Sequence, residues 1–459
     1  MSISTSIQTN YKINDTDLGD ILVSKTYIMS TYRSFIENNT IHDAFWWGVH
    51  WPISSRIPQT SGDYYYRAVN RFPTRHTFIG EISDISISQG THYWQAYTQR
   101  NMMVLMKDGT IWSCGRNSYS SLGLGSNYNV PYVQASTNNG SPYQIGTDND
   151  WVHISSGDDH TMAIKRNGSL WGWGSNAYGQ MGVHGWNTGS RTNGHSEWWD
   201  VPVNIGNEIR YYDDGSYPYY STQWKYVACG DSFTLFIDYV GQLWSAGSNT
   251  YGKLGIGWGL YGINDHLTLV DTGPWKYVHA GDQSWIGIKE NGRLYGCGHL
   301  FDANSPVELG PTSGETWIHC HLNLYHWVAI RSDGTLWTGS TVGSGAAAST
   351  NNWESVFGQE EGASISYTTN YRTDYNRTGI KALGGPYRYA ACGYLSTMAI
   401  GANGKLYGWG NNQDLQIQPT SESWIHGPIE SPYSTPYTNW KLIRGTDFGY
   451  IGLRSTQYI

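Results

Sequence analysis

The alternation of apolar and polar positions is clearest between residues 151 and 182, WVHISSGDDHTMAIKRNGSLWGWGSNAYGQMG. Residues 161–166 form a short, mainly apolar run, Asn167 and Gly168 follow it, and residues 169–173 form a second run rich in large rings. Asn-Gly between two such runs predicts an antiparallel β-hairpin. Because a lone hairpin cannot bury its own faces, we expect this one to pack against copies of itself.

Such copies recur along the chain with a fixed spacing, since Trp151 precedes the turn glycine Gly168 by 17 positions (168 − 151). The same offset joins Trp224 to Gly241, Trp275 to Gly292, Trp317 to Gly334, Tyr387 to Gly404 and, more weakly, His92 to Gly109. A seventh copy begins at Trp440, but the sequence reaches Ile459 before its outer half.

The missing half of that copy is expected near the other end of the chain. Phe45-Trp46-Trp47-Gly48 matches the LWGWG part of the repeat, and no inner half precedes it. If these residues complete the seventh unit, the two ends share one blade and close a ring, which hides sheet edges. The repeat therefore predicts an all-β, seven-bladed propeller over residues 41–459, with an N-terminal leader over residues 1–40.

The repeat also resembles a known family. Gly157-Asp158, Ile164, Asn167-Gly168, 170–174 (LWGWG), Asn176 and 179–182 (GQMG) resemble the regulator of chromosome condensation (RCC1) repeat, and 241–244, 252–255 and 404–410 repeat parts of it. The resemblance covers roughly residues 80–459 and implies the RCC1-like propeller. It implies little about function, because propellers host many activities.

The amino-acid composition limits the classes of partner that we expect for this chain. Charged residues make up 14% of the chain, against about 25% in ordinary soluble domains. A net charge of −8 without a basic run argues against nucleic acid, because phosphate binding needs clustered Lys and Arg. The N-terminus does not read as a secretion signal, and no run of about eighteen apolar residues predicts insertion into a membrane.

Several motifs resemble phosphate-binding, metal-binding or catalytic sites, but the repeat explains each of them more simply. The spacing of 247–254 mimics a phosphate loop, but Leu254 replaces the metal-binding hydroxyl. His319 and His321 share one strand face without an indicated third ligand, which favours a structural role. Asp158, Asp231 and Asp282 recur after the repeat glycine, as turn residues do. Four of the five cysteines occupy repeated positions, Cys114 with Cys297 and Cys229 with Cys392, so the cysteines are expected as small core side chains and not as disulfides. We predict no catalytic residue, metal or cofactor.

Two insertions, at about 183–223 and 340–386, are expected in loops on a propeller face, where binding is usually placed. Exposed rings stack on sugars or on other proteins. The first insertion therefore supplies the candidate binding residues, with simple coverage of the blade beneath as the alternative. These residues are Trp198, Trp199, Tyr211, Tyr212, Tyr217, Tyr219 and Tyr220.

The leader resembles the short segments that precede RCC1-like repeats in some tailed-phage structural proteins. Its apolar residues are candidates for docking the propeller to a particle, and a strap packed across the propeller is the alternative. The candidate docking residues are Leu18, Ile21, Leu22, Val23 and Tyr27.

Two function classes follow. The first is a non-enzymatic virion protein made in the host cytoplasm: a phage fibre, collar or decoration subunit that binds other virion proteins, itself, or a host glycan or protein. The low-charge surface, the leader and the aromatic insertions favour it. The second is an RCC1-type propeller that promotes nucleotide exchange on a small GTPase, or a bacterial surface or signalling module. No residue of the sequence can be matched to the exchange role.

Overall fold

The structure is a computed structural model that describes residues 43–49, 69–77, 80–88, 101–125, 132–133, 142–183, 198–206, 223–257, 262–311, 314, 316–340, 356–360, 377–413, 416–420, 422–434, 439–446 and 449–454. These residues form seven antiparallel sheets, each a blade of the predicted propeller. Within this part of the chain, no helix is long and apolar enough to cross a membrane.

The blades follow one another along the chain. Blade seven is the exception among the described sheets, because it combines strands from the N-terminal and the C-terminal parts of the chain. Blade one contains β3 (Ile82–Ile87), β4 (Asn101–Met106), β5 (Ile111–Arg116), β6 (Tyr132–Val133) and β7 (Tyr143–Gln144). Blade two contains β8 (Trp151–Ser156), β9 (His160–Lys165), β10 (Leu170–Ser175) and β11 (Trp198–Asn204). Blade three contains β12 (Trp224–Cys229), β13 (Phe233–Asp238), β14 (Leu243–Ser248) and β15 (Ile263–Asp271). Blade four contains β16 (Trp275–Ala280), β17 (Ser284–Lys289), β18 (Leu294–Gly298) and β19 (Ala303–Leu309).

The remaining blades have the same plan. Blade five contains β20 (Trp317–Leu322), β21 (His326–Arg331), β22 (Leu336–Ser340) and β23 (Ile380–Lys381). Blade six contains β24 (Tyr387–Cys392), β25 (Ser396–Gly401), β26 (Leu406–Asn411) and β27 (Trp424–Glu430). Blade seven contains β28 (Trp440–Thr446), β29 (Gly449–Arg454), β1 (Asp43–Val49) and β2 (Val69–Thr77). Short 3-10 turns lie at Ser118–Ser120, Thr250–Gly252, His299–Phe301 and Pro432–Ser434.

Blade seven joins the two ends of the chain as the repeat predicted. Its strands lie in the order β2-β1-β29-β28. In the antiparallel pair of β1 and β29, Phe45 lies opposite Gly452 and Trp46 opposite Ile451. The N-terminal strands therefore supply the outer half of the last blade.

A hydrophobic cluster fills each junction between consecutive blades. The cluster between blades seven and one contains Ala44 and Ile451 from the former and Ile85 and Met102 from the latter, all almost fully buried. Since this junction is packed like the other six, the ring is closed.

A recurring backbone hydrogen bond links each turn glycine to the first aromatic residue of the next blade. The amide of Trp224, which opens blade three, donates to the carbonyl oxygen of Gly168, the turn glycine of blade two, over 2.9 Å. The same bond recurs between Trp151 and Gly109, Trp275 and Gly241, Trp317 and Gly292, Tyr387 and Gly334, and Trp440 and Gly404. Each aromatic residue also fills the core between its blade and a neighbour, so it joins two blades by packing and by a backbone bond.

Two boundaries differ from the sequence prediction. The first repeat does not begin at His92, because the innermost strand of blade one is β3, and a longer connection separates it from β4. The insertions at 183–223 and 340–386 are shorter than predicted, because they contain β11 and β23, the outermost strands of their blades. Short outer strands lack the repeat's sequence signal.

The cysteine prediction is confirmed. Cys114, Cys229, Cys297, Cys320 and Cys392 are all free and buried. Cys114 and Cys297 occupy equivalent positions in the third strands of blades one and four. Burial raises the pKa of Cys229 to about 12, so this thiol stays protonated.

Candidate binding faces and the axial channel

The two faces of the ring differ in their connections. We call the side on which the first and second strands, and the third and fourth strands, of each blade are joined the loop face. The opposite side, where tight turns such as 166–168 join second to third strands, is the turn face. Long connections leave the loop face between β1 and β2, β3 and β4, β10 and β11, and β22 and β23. The connection from β11 to β12, by contrast, starts and ends on the turn face.

Two predicted binding residues lie on a strand instead of a loop. Trp198 and Trp199 begin β11 and pair with Ser175 and Gly174. Trp199 packs against the hydrophobic cluster between blades two and three. Trp198 makes an edge contact with Tyr119, with ring centroids 5.9 Å apart. Both residues therefore lie on the outermost strand of blade two and not in the loop that the sequence predicted for them.

The other predicted residues lie outside the described part of the chain. They are the binding candidates Tyr211, Tyr212, Tyr217, Tyr219 and Tyr220 and the docking candidates Leu18, Ile21, Leu22, Val23 and Tyr27. Their roles stay predictions.

Three tyrosines that the sequence reading missed form an exposed series on the loop face. Tyr119, Tyr178 and Tyr251 are 47%, 45% and 48% exposed. They occupy the same position in blades one, two and three, after the third strand, within GRNSY, GSNAY and GSNTY. This recurrence was the signal that could have revealed them.

The loops below these tyrosines are fixed by a recurring asparagine. The side-chain oxygens of Asn117, Asn176 and Asn249 accept backbone N–H bonds of 3.0 to 3.1 Å from the residue five positions later. Tyr119 and Tyr251 have φ values of 51° and 63°, which non-glycine residues rarely adopt. The asparagine bonds hold these conformations, so the rings stand on rigid loops.

Lys253 belongs to the blade and not to a phosphate site. It is 3% exposed, and its Nζ donates to the backbone oxygen of Asp231 over 2.8 Å. Burial lowers the pKa of Lys253, while the nearby carboxylates of Asp231 and Asp282 act in the opposite direction. Asp231 also accepts a bond from Ser232 Oγ, as expected for a turn residue.

Carboxylates predominate on the loop face. Among the side chains that the structure describes there, the cations are Lys253, which is buried, and Arg377, which donates to the backbone oxygens of Phe301 and Asp302. The described carboxylates at the loop-face ends of strands are the exposed Asp302 and Glu422, the partly buried Asp159, Asp231 and Asp265, and the buried Asp158 and Asp282. The part of the loop face that the structure describes is therefore acidic and carries exposed rings.

The innermost strands line an axial channel. Their third residues, in blade order, are Asp84, His153, Tyr226, Tyr277, His319, Tyr389 and Leu442. Their fifth residues are Ser86, Ser155, Ala228, His279, His321, Ala391 and Arg444. The fourth and sixth residues are buried between blades, which leaves the third and fifth for the axis.

These channel side chains bond neighbouring blades to each other. Nε2 of His153 lies 2.8 Å from the backbone oxygen of Val227, and Nε2 of His319 lies 2.7 Å from that of Ala390. His321 Nδ1 accepts a bond from the amide of Cys392 over 3.2 Å. The structural role predicted for His319 and His321 is confirmed by these bonds.

Burial keeps the channel histidines neutral near physiological pH. It lowers the pKa of His279 to about 3 and that of His319 to about 4, and the charge of Arg444 acts in the same direction. His279 and His321 stack with ring centroids 3.9 Å apart. Among the described residues, no group of three or more His, Cys, Asp or Glu side chains is arranged to hold a metal ion. The side chains of the channel thus form a hydrogen-bonded support for the ring.

Comparison with known proteins agrees with this geometry. One family model of the regulator of chromosome condensation (RCC1) repeat matches residues 151–180, 224–253 and 389–416, and a second matches 108–164 and 167–237. The chain contains RCC1 repeats. The matched RCC1 residues lie in blades one, two, three and six, and the structure extends the same plan around the ring.

Solved structures of other proteins share the fold. Human WBSCR16 superposes with a TM-score of 0.64 at 17% identity, covering 91% of this chain and 100% of that one. Prp20p from Saccharomyces cerevisiae superposes with a TM-score of 0.61 at 14% identity, covering 93% and 95%. In sequence, the ultraviolet-B receptor UVR8 of Arabidopsis thaliana is 26% identical over 337 residues, which span 69% of this chain and 64% of UVR8. This chain thus matches less than two thirds of that relative.

Proposed function

We propose that this chain is a non-enzymatic, protein-binding propeller that presents its loop face to a basic partner. The observation that carries the proposal is the combination of carboxylates and exposed tyrosines on that one face. Asp302 is exposed, and Tyr119, Tyr178 and Tyr251 are each close to half exposed. Tyrosine is a favoured contact residue at interfaces because a large, stiff ring loses little entropy on binding.

The rigid loops strengthen this proposal. A contact surface that is already ordered loses less conformational freedom when it binds. The buried polar groups of the channel join blades to each other, which leaves recognition to the faces. Complementary charge would accelerate encounter and select against acidic partners.

A protein partner also agrees with the relatives. The reported structure of Prp20p is described together with its binding to Gsp1p and to histones. Histones are basic, so they suit an acidic face. We therefore propose a histone-like basic protein as the class of partner.

Affinity measurements test this function directly. Immobilised full-length chain is titrated with core histones and with Gsp1p at about 50 mM and about 300 mM NaCl. We expect histone binding that weakens at the higher salt concentration, because the interaction is electrostatic. The double variant Tyr178→Ser/Tyr251→Ser should weaken binding at least about tenfold.

The matched control is Tyr239→Ser on the turn face, where Tyr239 is 73% exposed. This variant should bind like the unmodified chain. Equal loss of binding in both variants, or no binding to either protein, would contradict the proposed function.

A narrower form of the proposal is nucleotide exchange on a small GTPase, which the repeat resemblance implied. Faster release of fluorescent GDP in the presence of the chain would support it. Retained binding with an unchanged release rate would limit the function to binding.

The virion role and location stay predictions. The relatives reported above come from a plant, a human and a yeast, and they lend a phage origin no support. Mass spectrometry of purified virions is the test of this reading.

A further inference from the structure

The turn-face end of the axial channel is surrounded by a basic ring. It is formed by the second residue of each innermost strand, and all of these residues are exposed. We call it the mouth ring: Ser83, Val152, Lys225, Lys276, Ile318, Arg388 and Lys441. Lysine or arginine occupies the position in blades three, four, six and seven, and none of the seven residues is acidic. Val152 and Ile318 add aliphatic side chains that are 47% and 46% exposed.

Charges farther from the axis on the same face are neutralised locally. Lys165 lies 2.7 Å from Asp148, Lys289 lies 2.6 Å from Asp271, and Arg293 lies 3.2 Å from Glu308. Each of these pairs joins a cation to a carboxylate of the surrounding strands and loops.

The mouth ring is neutralised much less. Lys225 has an exposed partner in Glu290, 2.9 Å away. Arg388 donates to the backbone oxygen of Trp440, which carries no full charge. Within the described part of the chain, Lys276 and Lys441 make no ion pair. Like charges gathered in this way repel one another, and an acidic occupant would relieve that repulsion.

The chain itself carries a segment of the matching chemistry. In the leader, Asp15, Asp17 and Asp20 alternate with an aliphatic group formed by Leu18 and residues 21–23 (ILV). The carboxylates complement the lysines, and the aliphatic side chains suit Val152 and Ile318.

The leader also leaves the propeller on the correct side. Asp43, the first residue of β1, lies opposite Arg454, the last residue of β29, and β29 ends on the turn face. Since β1 is two strands from β28, the leader starts about 10 Å from the strand that carries Lys441. Residues 23 and 43 are 20 positions apart (43 − 23), and a chain of that length can span up to roughly 66 Å, which is enough to reach the mouth ring.

We propose that residues 15–23 bind across the mouth ring of their own propeller, with carboxylates at Lys276 and Lys441 and aliphatic side chains at Val152 and Ile318. Tethering supplies an effective concentration in the millimolar range, so a modest intrinsic affinity is sufficient. The site lies on the turn face and leaves the loop face free. This binding is independent of the function proposed for the loop face.

Hydrogen exchange and zero-length cross-linking of the full-length chain test the proposal together. A carbodiimide joins carboxylates to amines that touch, so we expect cross-links from residues 15–23 to Lys276 or Lys441. Amides of residues 15–23 should exchange at least about tenfold more slowly than in the isolated peptide. Both signals should be independent of protein concentration.

Charge reversal identifies the surface. Lys276→Glu/Lys441→Glu should abolish the protection of residues 15–23, and adding Asp17→Lys/Asp20→Lys should restore it. Arg166→Glu, an exposed turn-face change outside the mouth ring, is the matched control and should leave protection intact. The melting transition of each variant checks that the fold is retained.

Three results would overturn the proposal. They are absence of protection in the unmodified chain, protection that survives the lysine reversal, and protection that rises with protein concentration. The last would place the segment on a second copy. Because histone binding is measured at the opposite face, its failure would leave these results unaffected.

Discussion

Arg444 in blade seven donates a hydrogen bond of 2.7 Å from Nη2 to Asp84 Oδ1 in blade one, 360 positions earlier in the chain. Its Nε donates to the backbone oxygen of Ile85 over 3.0 Å, and its guanidinium lies near the ring of Tyr389 in blade six. One side chain therefore connects three blades at the place where the ring closes.

Removing this cation should destabilise the ring. Arg444→Met leaves Asp84 partly buried without its partner, so we expect the free energy of unfolding to fall by about 2 to 4 kcal/mol. Urea unfolding measures this change. Adding Asp84→Leu should recover part of the loss, because the remaining charge is then gone. Lys225→Met, which breaks an exposed pair, should cost about 1 kcal/mol or less. Similar losses in both single variants would show that the pair does not secure the closure.

The channel histidines should make stability depend on pH. Burial lowers the pKa of His279 and His319 in the folded chain to about 3 and about 4, while the unfolded value is the ordinary 6.5. As pH falls below about 6.5, the unfolded chain therefore binds protons that the folded chain does not. The free energy of unfolding should decrease from about pH 7 to about pH 4 and change little from this source above about pH 7.

A substitution isolates this contribution. His279→Phe keeps a ring stacked on His321 and removes one titrating group, so the urea midpoint should depend less on pH between about 7.5 and 5. Tyr226→Phe, in the same channel, is the control, because burial raises the pKa of Tyr226 and places it outside this range. An unchanged pH slope in His279→Phe would be inconsistent with a buried neutral histidine.

Two glycines with left-handed backbones should differ in their tolerance of a methyl group. Gly174 has φ of +88°, and an added Cβ would lie 2.5 Å from the backbone oxygen of Asp159. Gly146 has φ of +59°, and a Cβ there would meet nothing within 4 Å. We expect Gly174→Ala to cost more than about 3 kcal/mol and Gly146→Ala about 1 kcal/mol, measured by urea unfolding. Equal costs would mean that the close approach of β10 to the loop before β9 relaxes easily.

The two tryptophans of β11 should contribute differently to the free energy of unfolding, because one packs in the core and the other makes a surface contact. Trp199→Ala removes a ring from the cluster between blades two and three, so a loss of about 2 to 3 kcal/mol is expected. Trp198→Ala removes an edge contact with Tyr119 and should cost about 1 kcal/mol. Thermal and urea unfolding of the two variants provide the comparison. A larger loss for Trp198 would contradict the packing described for this strand.

The propeller was predictable because six blades open with an aromatic residue that has the same two roles. Trp224, for example, fills the core and donates to the turn glycine Gly168 of the preceding blade, so both residue types recur in the sequence. The closure was predictable for the same reason, since Phe45-Trp46-Trp47-Gly48 carries the third-strand pattern. The outermost strands were not, because β11 and β23 face a neighbour on one side at most and tolerate many sequences.

The candidate faces were harder to predict than the fold. The sequence suggested that Trp198 and Trp199 lie in a loop. The repeat pattern is interrupted before β11, so this strand could not be recognised from the pattern. Tyr119, Tyr178 and Tyr251 carry a recurring signal, but a repeated residue first suggests packing, and exposure is visible only in three dimensions. The acidic character of the loop face likewise depends on which strand ends meet, which overall charge does not reveal.

The most direct test of the account is a hydrogen-exchange map of the full-length chain with and without saturating core histones. We predict slower exchange at the loop face, in residues 118–123, 176–182 and 250–256, with turn-face residues 239–241 and 290–292 unchanged. Protection confined to the turn face, or no protection at saturation, would contradict the claim that the loop face is the binding surface of this propeller.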